Sequence, residues 1–545
     1  MVGSDIDCFA TFFFWPITPS SRFLSSSVLI DRRPPFYTSM MTRIARRAFS
    51  YLFPLFILIP SSGLLAQPSS EAGRALAGGI DAILDAPAFE NAWWGVVVVN
   101  LTTGVRLYQR NEGRSFIPAS NTKLYTTAAT LDQLGPSFRY ETTIFGDGPV
   151  EAGTLAGNLI IRGSGDPVIG GRFNEGDLNE TFRDWAKALR TAGITTIAGD
   201  LIGDDDLFDD TALGYGWSWD DVPFWYSAEI GALSFNDNCV DFSIQGQQAG
   251  MPGVISWTPD NTDYVSVRNS TLTVHQDSSL VEGYVRSAEG NRFTLSSRVP
   301  AGKVDLESLA VTNPTLYFLH VLRATLVAQG IAVEGRIVDV DDLSIKPDYA
   351  SSKVHPLAVH LGPPLQDIVK VINKQSQNLY AEQLLKTLAA HRPVDDPDLV
   401  PGSAAMGVAA VMKTLSLAGV DTSRIQLTDG SGLSRMNLVT PGMTAALLTY
   451  MWNHPSTEVR RAFLASLPVG GLDGTLRYRF TDGPARGNVR AKTGTVSNAS
   501  ALSGYLSSAT GAPLAFVLMS NHYTGPTSEI RSAQDAVVNI LANYR

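Results

Sequence analysis

A serine and a lysine three residues apart, Ser120 and Lys123, are a pair whose types and spacing could carry out nucleophilic chemistry. Pro118 precedes them and Gly135-Pro136 follows, so we predict a helix that begins near Ser120 and ends at about Leu134. Residues three apart on a helix share a face, which places the Lys123 amine beside the Ser120 hydroxyl. A hydroxyl becomes an effective nucleophile when a partly desolvated amine takes its proton. The pair therefore predicts acyl-transfer chemistry.

Ser-x-x-Lys alone is a weak motif, because a helix cap followed by a solvated lysine gives the same pattern. Among the lysines of the chain, Lys123 is the one with a serine three places before it. Two companion motifs follow in the order that a Ser-x-x-Lys acyl-transfer site requires, Ser376-Gln377-Asn378 and Lys492-Thr493-Gly494. Ser234-Phe235-Asn236 also matches the first companion, but its order and spacing favour it less than Ser376.

The three motifs together resemble those of penicillin-recognising serine enzymes. A long interval from Ser120 to Ser376 and a short one from Ser376 to Lys492 are typical of the class C low-molecular-mass penicillin-binding proteins, the penicillin-binding protein 4-like D-alanyl-D-alanine carboxypeptidases and endopeptidases. The resemblance covers about residues 70–545. Its further matching segments are Gly163-Ser164-Gly165-Asp166-Pro167, Tyr226-Ser227-Ala228, Ala232-Leu233-Ser234, Asp429-Gly430-Ser431-Gly432-Leu433-Ser434-Arg435 and Gly474-Thr475-Leu476.

Two of the motifs supply the groups that would move protons. Ser120 is the predicted nucleophile, and Lys123 is the predicted base if burial or a nearby cation such as Lys492 keeps its amine substantially neutral. Which residue takes the first proton is disputed across such enzymes, and the sequence leaves it open. Ser376 supplies a hydroxyl that can relay a proton to the leaving amine, and Asn378 supplies an amide that can hold the substrate.

The third motif is predicted to bind the substrate on a sheet edge that faces Ser120. Lys492 and Thr493 together suit a carboxylate, here the free C-terminus of the substrate, and Gly494 removes a side chain where the peptide must lie close. The resemblance implies an oxyanion hole at the backbone N–H groups of Ser120 and Thr495. It also implies that Asp429-Gly430-Ser431-Gly432 lies near the site, and we assign that segment no catalytic role.

The resemblance implies a further substrate contact from an inserted region. Asp221, five positions before Tyr226, would bind the free amino group of a diaminopimelate side chain. The alternative is a solvated acid, since Asp221 follows another aspartate and neighbours tryptophans that could simply pack together, namely Trp217, Trp219 and Trp225.

Composition and motif content exclude several other classes. The 545-residue chain predicts two or three domains, and a net charge of −10 without a basic stripe argues against a nucleic-acid partner. Two cysteines, Cys8 and Cys239, cannot form a disulfide framework, and we expect Cys239 to be a small buried residue. The chain has neither His-Glu-x-x-His nor Gly-x-Ser-x-Gly, which disfavours a zinc peptidase or a Ser-His-Asp hydrolase. No metal or cofactor is implied.

The N-terminal region is typical of an export signal. Residues 41–47 are basic, residues 48–59 are apolar, and small residues precede a predicted cleavage after Ala66. We therefore expect residues 1–66 to be dispensable, with Met40 or Met41 as the natural start, and the mature protein to be exported to the periplasm or cell envelope. The alternative is an uncleaved anchor, which would give peripheral membrane association.

The patterns predict an α/β fold in which an antiparallel sheet flanked by helices carries the site, interrupted by a β-rich insertion. We assign residues 72–139 and 354–545 to a split penicillin-recognising, transpeptidase-like catalytic domain. The sequence alone indicates one insert; the resemblance implies two nested ones, domain II at 140–166 and 237–353 and domain III at 167–236. The clearest predicted elements are helices at 71–84, 365–372, 379–390, 404–418, 440–452 and 529–544, a strand buried on both faces at 93–101, and an edge strand ending at 489–492.

The sequence therefore predicts an exported serine D-Ala-D-Ala carboxypeptidase that is also an endopeptidase on peptidoglycan cross-links and is inhibited covalently by β-lactams. One alternative is a serine β-lactamase or esterase on the same site, which would need fast deacylation. The other is a catalytically idle wall-binding protein that keeps the fold.

Overall fold

The computed structural model describes residues 71–545. The predicted signal segment and Cys8 lie outside the described residues. Within this range the helices are α1 (Glu71–Leu84), α2 (Thr122–Leu134), α3 (Glu180–Thr191), α4 (Pro314–Ala328), α5 (Leu365–Gln375), α6 (Asn378–His391), α7 (Ala404–Leu417), α8 (Pro441–Trp452), α9 (Thr457–Ser466) and α10 (Thr527–Asn543). The predicted helices are confirmed to within a few residues at each end.

The strands of the described region fall into several sheets. They are β1 (Trp93–Asn100), β2 (Arg106–Arg110), β3 (Glu141–Gly146), β4 (Val150–Glu151), β5 (Thr154–Leu155), β6 (Leu159–Arg162), β7 (Thr196–Ile197), β8 (Leu201–Asp204), β9 (Cys239–Gln245), β10 (Val254–Thr258), β11 (Ser266–Asn269), β12 (Leu272–Val274), β13 (Tyr284–Arg286), β14 (Arg292–Leu295), β15 (Arg298–Pro300), β16 (Val304–Ala310), β17 (Ala332–Val333), β18 (Ile337–Asp339), β19 (His355–Leu361), β20 (Arg490–Val496), β21 (Ala499–Ser507) and β22 (Pro513–Asn521).

The main sheet joins the two ends of the described chain. It is antiparallel, in the order β2-β1-β22-β21-β20. Alternate residues of β1 enter different cores: Val96 and Val98 pack toward α1 and α10, and Val97 and Val99 pack toward α2 and α8. Because both faces of β1 are covered, its side chains form a nearly continuous apolar run, as predicted.

The edge of this sheet and helix α2 position the catalytic motifs. Strand β20 is the edge strand, and Lys492 lies within it rather than at its end. Helix α2 is buried from Thr122 to Leu131 and packs against α5, α6 and α7. Because other elements surround α2, its side chains must be either apolar or hydrogen-bonded. Its threonines meet this need: Thr127 and Thr130 donate to backbone carbonyls one turn earlier in α2, and Thr126 donates to the carbonyl of Gly430.

The predicted insert, residues 140–353, forms further sheets, and β19, which follows it, pairs with β3 in one of them. One has the order β18-β8-β6-β3-β19, and a second pairs β9 with β10 and β16. In the first sheet, β8 pairs in parallel with both β6 and β18, so part of residues 167–236 shares a sheet with the segments before and after it. The predicted boundaries of the nested domains stay predictions.

No helix between residues 71 and 545 has the length and apolar character that a membrane span requires. Cys239, at the start of β9, is buried, as predicted, and burial raises the pKa of its thiol.

Candidate active site

Ser120 lies in a short turn of 3-10 helix, Ala119–Asn121, that leads directly into α2. The residue before it, Ala119, has φ = +47°, a left-handed conformation that L-residues adopt at a cost. This turn is held against the edge strand, because Asn121 Nδ2 donates to the backbone carbonyl of Lys492, 3.0 Å away. The local strain and the tie to β20 leave the Ser120 side chain partly exposed at the cleft.

Lys123 is completely buried and contacts three acceptors. Its Nζ lies 3.1 Å from Ser120 Oγ, 2.6 Å from Asn378 Oδ1 and 2.7 Å from the backbone carbonyl oxygen of Ser431. The amide and carbonyl oxygens can only accept, so they hold two N–H groups of a neutral amine. The remaining lone pair then faces Ser120 Oγ, which is the one partner of the three with a proton to give.

Burial shifts the acid–base balance of this amine. Desolvation lowers the pKa of Lys123 from 10.5 to about 7, against the opposing influence of the buried carboxylates Glu382 and Asp429. A lysine with this pKa is neutral in a large fraction of molecules near neutral pH. Of the two causes expected to keep Lys123 neutral, burial and a nearby cation, burial is the one that lowers its pKa.

Lys492 is a second fully buried lysine at this site. Its Nζ donates to Ser376 Oγ over 2.9 Å and to the backbone carbonyl of Thr493 over 2.7 Å. Burial, and then the positive charge of Lys123, lower the pKa of Lys492 well below its usual value. Ser376 caps the end of α5 with φ = +63° and lines the cleft, so its hydroxyl is held by Lys492 and faces the space above Ser120.

The rest of the edge-strand motif makes contacts within the protein, and its predicted substrate-binding role stays a prediction. The Thr493 hydroxyl donates to Thr475 Oγ1, 2.9 Å away, whereas Thr495 lines the cleft. A Cβ placed on Gly494 would lie 2.7 Å from the carbonyl oxygen of Pro118 and 3.0 Å from the backbone nitrogen of Ser120. Glycine is therefore needed at 494 because the serine turn packs onto the strand, and not only because a substrate peptide must lie close.

Sequence reasoning missed Glu382. This fully buried carboxylate accepts the backbone N–H groups of Gly430 and Ser431, each over 2.8 Å. Burial, followed by repulsion from Asp429, raises the pKa of Glu382 to about 7. Glu382 lies four positions after Asn378 on α6, and residues four apart share a helix face, so this spacing was a signal that could have found it.

Asp429 organises the loop that supplies the Ser431 carbonyl. Its two carboxylate oxygens accept the backbone N–H groups of Gly432 and Ser434 as well as the side-chain N–H groups of Asn437 and Trp217. Trp217 belongs to the inserted region, so the loop is also tied to the insert. The segment to which the sequence assigned no catalytic role thus positions the lysine.

Asp221 and Tyr226 meet at the outer wall of the cleft. The Tyr226 hydroxyl donates to Asp221 Oδ1 over 3.0 Å, and the Tyr226 backbone carbonyl accepts Asn378 Nδ2 over 2.6 Å. Burial and the neighbouring Asp221 raise the pKa of the Tyr226 hydroxyl, so it stays a donor. The cleft has a volume of about 380 Å³ and is lined by Ser120, Gly216, Ser218, Asp221, Trp225, Tyr226, Ser376, Asn378, Gly432, Leu433, Arg435, Thr495, Val496 and Ser497.

Two other sequence features lie outside the cleft. The second Ser-x-Asn match is buried elsewhere, where Ser234 Oγ donates to the Gly231 carbonyl.

Among residues 71–545, one group of three acids has the ligand types that a cation needs. It consists of Asp205, Asp339 and Asp341, whose carboxylate oxygens lie within 4.8 Å of one another. Burial raises the pKa of Asp205 to about 7, so a proton can relieve the repulsion within this group.

The structure thus brings the five predicted residues together at one cleft. Lys123 bonds Ser120 and Asn378, Lys492 bonds Ser376, and Ser120, Ser376 and Asn378 line the cleft. The arrangement offers a nucleophile, a partly neutral base in contact with it, and a second hydroxyl held by a second lysine. These are the groups that acyl transfer to and from a serine requires.

Comparisons with known proteins find relatives that match most of the chain. A D-alanyl-D-alanine carboxypeptidase of Actinomadura sp. (strain R39) is 33% identical over 516 residues, covering 92% of this chain and 91% of that protein. The carboxypeptidase DacB of Haemophilus influenzae is 27% identical over 463 residues, covering 82% of this chain and 89% of its own length.

A solved structure shares the fold of this chain. The crystal structure of penicillin-binding protein 4 (DacB) from Haemophilus influenzae superposes with a TM-score of 0.73 at 25% identity, over 85% of this chain and 99% of that one. The same protein in complex with a β-lactam gives a TM-score of 0.68. The family model that matches residues 76–544 is described as the D-Ala-D-Ala carboxypeptidase 3 (S13) family. The chain therefore belongs to the D-Ala-D-Ala carboxypeptidase 3 (S13) family of serine peptidases.

Proposed function

We propose that this carboxypeptidase acts through an acyl-enzyme on Ser120, cleaves both terminal D-Ala-D-Ala bonds and peptidoglycan cross-links, and is acylated by β-lactams. The observation that carries the proposal is the contact between Ser120 Oγ and a buried Lys123 amine whose other two partners can only accept hydrogen bonds. This geometry supports transfer of the serine proton to lysine as the hydroxyl oxygen attacks the carbonyl carbon.

The proton balance of each step can be written with residues of the cluster. Lys123 takes the Ser120 proton, the tetrahedral intermediate collapses, and the bond to the leaving amine breaks. Ser376 gives its proton to that amine and regains one from Lys492, whose Nζ donates to Ser376 Oγ. Water then attacks the ester carbonyl, loses its proton to the same network, and releases Ser120 and the shortened peptide.

Substrate recognition is proposed on both sides of Ser120. Lys492, Thr493 and Thr495 suit the terminal carboxylate, and the N–H groups of Ser120 and Thr495 suit the developing oxyanion. On the other side, the Asp221 carboxylate, bonded to Tyr226 and facing the cleft, suits the free amine of a diaminopimelate side chain.

The place of action follows from the same proposal. A peptidoglycan hydrolase meets its substrate outside the cytoplasmic membrane, so we place the mature protein in the periplasm or cell envelope, with peripheral membrane association if residues 48–59 stay attached. The complex of a β-lactam with the Haemophilus influenzae relative supports β-lactam binding here.

Release of D-alanine from an acyl-D-Ala-D-Ala peptide tests the proposal. The Ser120→Ala protein should release none, and Ser376→Ala should slow release about 10²-fold or more, within the range usual for a lost proton-transfer group. Ser234→Ala is the matched control, because it alters the second Ser-x-Asn match without touching the cleft. Equal rates for Ser376→Ala and Ser234→Ala would contradict the proposed relay.

A further inference from the structure

A second cavity of about 870 Å³, which we call the side groove, lies beside the catalytic cleft. Trp225 is a wall of both cavities, and its side chain is exposed. Gln375 and Gln377, the neighbours of Ser376 in the chain, line the side groove while Ser376 itself lines the cleft. The two cavities are therefore adjacent, on either side of Trp225 and of the Ser376 turn.

The side groove has a mixed polar and apolar lining, and its charged side chains are mainly acidic. Of the residues that line it, Arg172 is the one cation, and its guanidinium donates to Asp237 and lies over the Tyr380 ring at 5.7 Å. Two further acids, Asp241 and Glu307, line the groove and leave it with an excess of negative charge. An anionic ligand would be repelled, since like charges across an interface are unfavourable.

The uncharged polar groups of the lining suit a ligand with many hydroxyl and amide groups, and apolar side chains such as Leu178, Phe242 and Leu306 line the groove beside them. Side-chain amides and carboxylates accept from hydroxyls, and amides also donate; Gln375, Gln377 and Asn236 supply the amides. An exposed indole such as that of Trp225 offers a flat apolar face with one polar N–H. The groove volume is in the range of small-ligand sites, about 300–1,000 Å³.

This inference rests on the function proposed above. Together with that function, the features of the side groove indicate which ligand it binds. The cleft has room for a short peptide end, yet peptidoglycan is a polymer, and the part beyond that end must continue across the surface. Its stem peptides carry free carboxylates, whereas its N-acetylated sugars are neutral and rich in hydroxyls. We propose that the side groove binds the glycan part of peptidoglycan, so that a sugar-bearing stem peptide binds more tightly than the bare peptide.

The test compares two probes on protein in which Ser120→Ala prevents turnover. The probes are a disaccharide-pentapeptide and the same pentapeptide without sugar, and their dissociation constants are measured by calorimetry. Leu306 on β16 lines the groove and is 71% exposed, so Leu306→Arg should obstruct the groove without disturbing the fold. Val304, two residues earlier on the same strand face and 49% exposed, is not among the groove residues; Val304→Arg is the matched control.

The sugar-bearing probe should bind at least fivefold more tightly to the Ser120→Ala protein and to its Val304→Arg form, and Leu306→Arg should remove that advantage. Equal affinity for the two probes, including undetectable binding of both, would overturn the inference, as would an advantage that survives Leu306→Arg. Acylation by penicillin, measured separately with Ser120 present, should change less than twofold in Leu306→Arg. If penicillin does not acylate the wild-type protein, the proposed function is refuted, whatever the binding result.

Discussion

The Glu382 carboxylate accepts the backbone N–H of Ser431 over 2.8 Å, while the backbone carbonyl of Ser431 accepts a hydrogen bond from Lys123 Nζ over 2.7 Å. An acid on α6 thus fixes the loop carbonyl that orients the base, without lining the cleft itself. Glu382 is a positioning residue in this account. It also places a negative charge near Lys123, which raises the pKa of that lysine and partly opposes the effect of burial.

Glu382→Gln should therefore affect both the rate and the pH dependence of acylation. A glutamine can accept one of the two backbone N–H groups but presents its own N–H₂ to the other, so the loop shifts and penicillin acylation should slow by about 10–100-fold. Lys123, Asp429 and the Gly430–Ser431 loop face Glu382. Because the substitution removes a negative charge, the pKa of Lys123 should fall and the acid limb of the pH–rate profile should move to lower pH.

The neighbouring variant Gln383→Leu separates this effect from simple destabilisation. Gln383 is equally buried on α6, but its amide donates to the Gly231 carbonyl and to Ser234. Its loss should lower the melting temperature and leave the acid limb in place. A Glu382→Gln protein whose profile coincides with that of Gln383→Leu would show that Glu382 is merely structural.

The wild-type pH profile follows from the state of Lys123. The neutral amine is the active base, and its pKa is about 7, so acylation should rise about tenfold per pH unit below 7 and level off above it. Stopped-flow acylation by a chromogenic β-lactam between pH 5 and 9 measures this. A profile that is flat across pH 7 would remove Lys123 as the titrating base.

Removing the amine tests the same role by mutation. Lys123→Ala should slow acylation by about 10²–10⁴-fold, the usual contribution of a positioned base. Lys386→Ala is a matched control, because Lys386 is also a fully buried lysine but bonds the carbonyls of Asp209 and Thr211 outside the cleft. Normal acylation by the Lys123→Ala protein would require a different base.

Gly494→Ala should damage the site through packing. Its Cβ would lie 2.7 Å from the Pro118 carbonyl oxygen, so the serine turn must move away from β20. We expect a loss of about 1–3 kcal/mol in the free energy of unfolding, typical of overpacking, and slower acylation. Gly78→Ala, in α1 with nothing within 4 Å of the added carbon, should instead leave activity unchanged. A Gly494→Ala protein with wild-type melting temperature and acylation rate would contradict the packing argument.

Asp221→Asn should alter peptide preference and leave β-lactam acylation unchanged. The substitution removes the charge that would bind an amine, so KM for a peptide with a free diaminopimelate amine should rise about tenfold, while an N-acetylated analogue should be unaffected. Asp220→Asn changes the adjacent acid, which does not line the cleft, and is the control. Equal effects of the two substitutions would favour the solvated-acid interpretation.

The sequence predicted the features that depend on local spacing. Ser120 and Lys123 are in contact because three residues make nearly one helical turn. The sequence of β1 predicts a buried strand because the side chains on each of its faces pack into a hydrophobic core. The role of Glu382 depends on Ser431, 49 positions further along the chain, and that of Trp217 depends on Asp429, 212 positions away. Such pairings are created by the tertiary fold, as is the parallel pairing of β8 with β6 and β18.

The central claim, an acyl-enzyme on Ser120, is tested most directly by intact-protein mass and peptide mapping after incubation with benzylpenicillin. The account predicts an adduct of one penicillin, mapped to Ser120, that lasts for minutes and is missing from Ser120→Ala. An unmodified protein with intact penicillin would contradict the mechanism and favour an idle scaffold. An unmodified protein with hydrolysed penicillin would contradict slow deacylation and identify a β-lactamase.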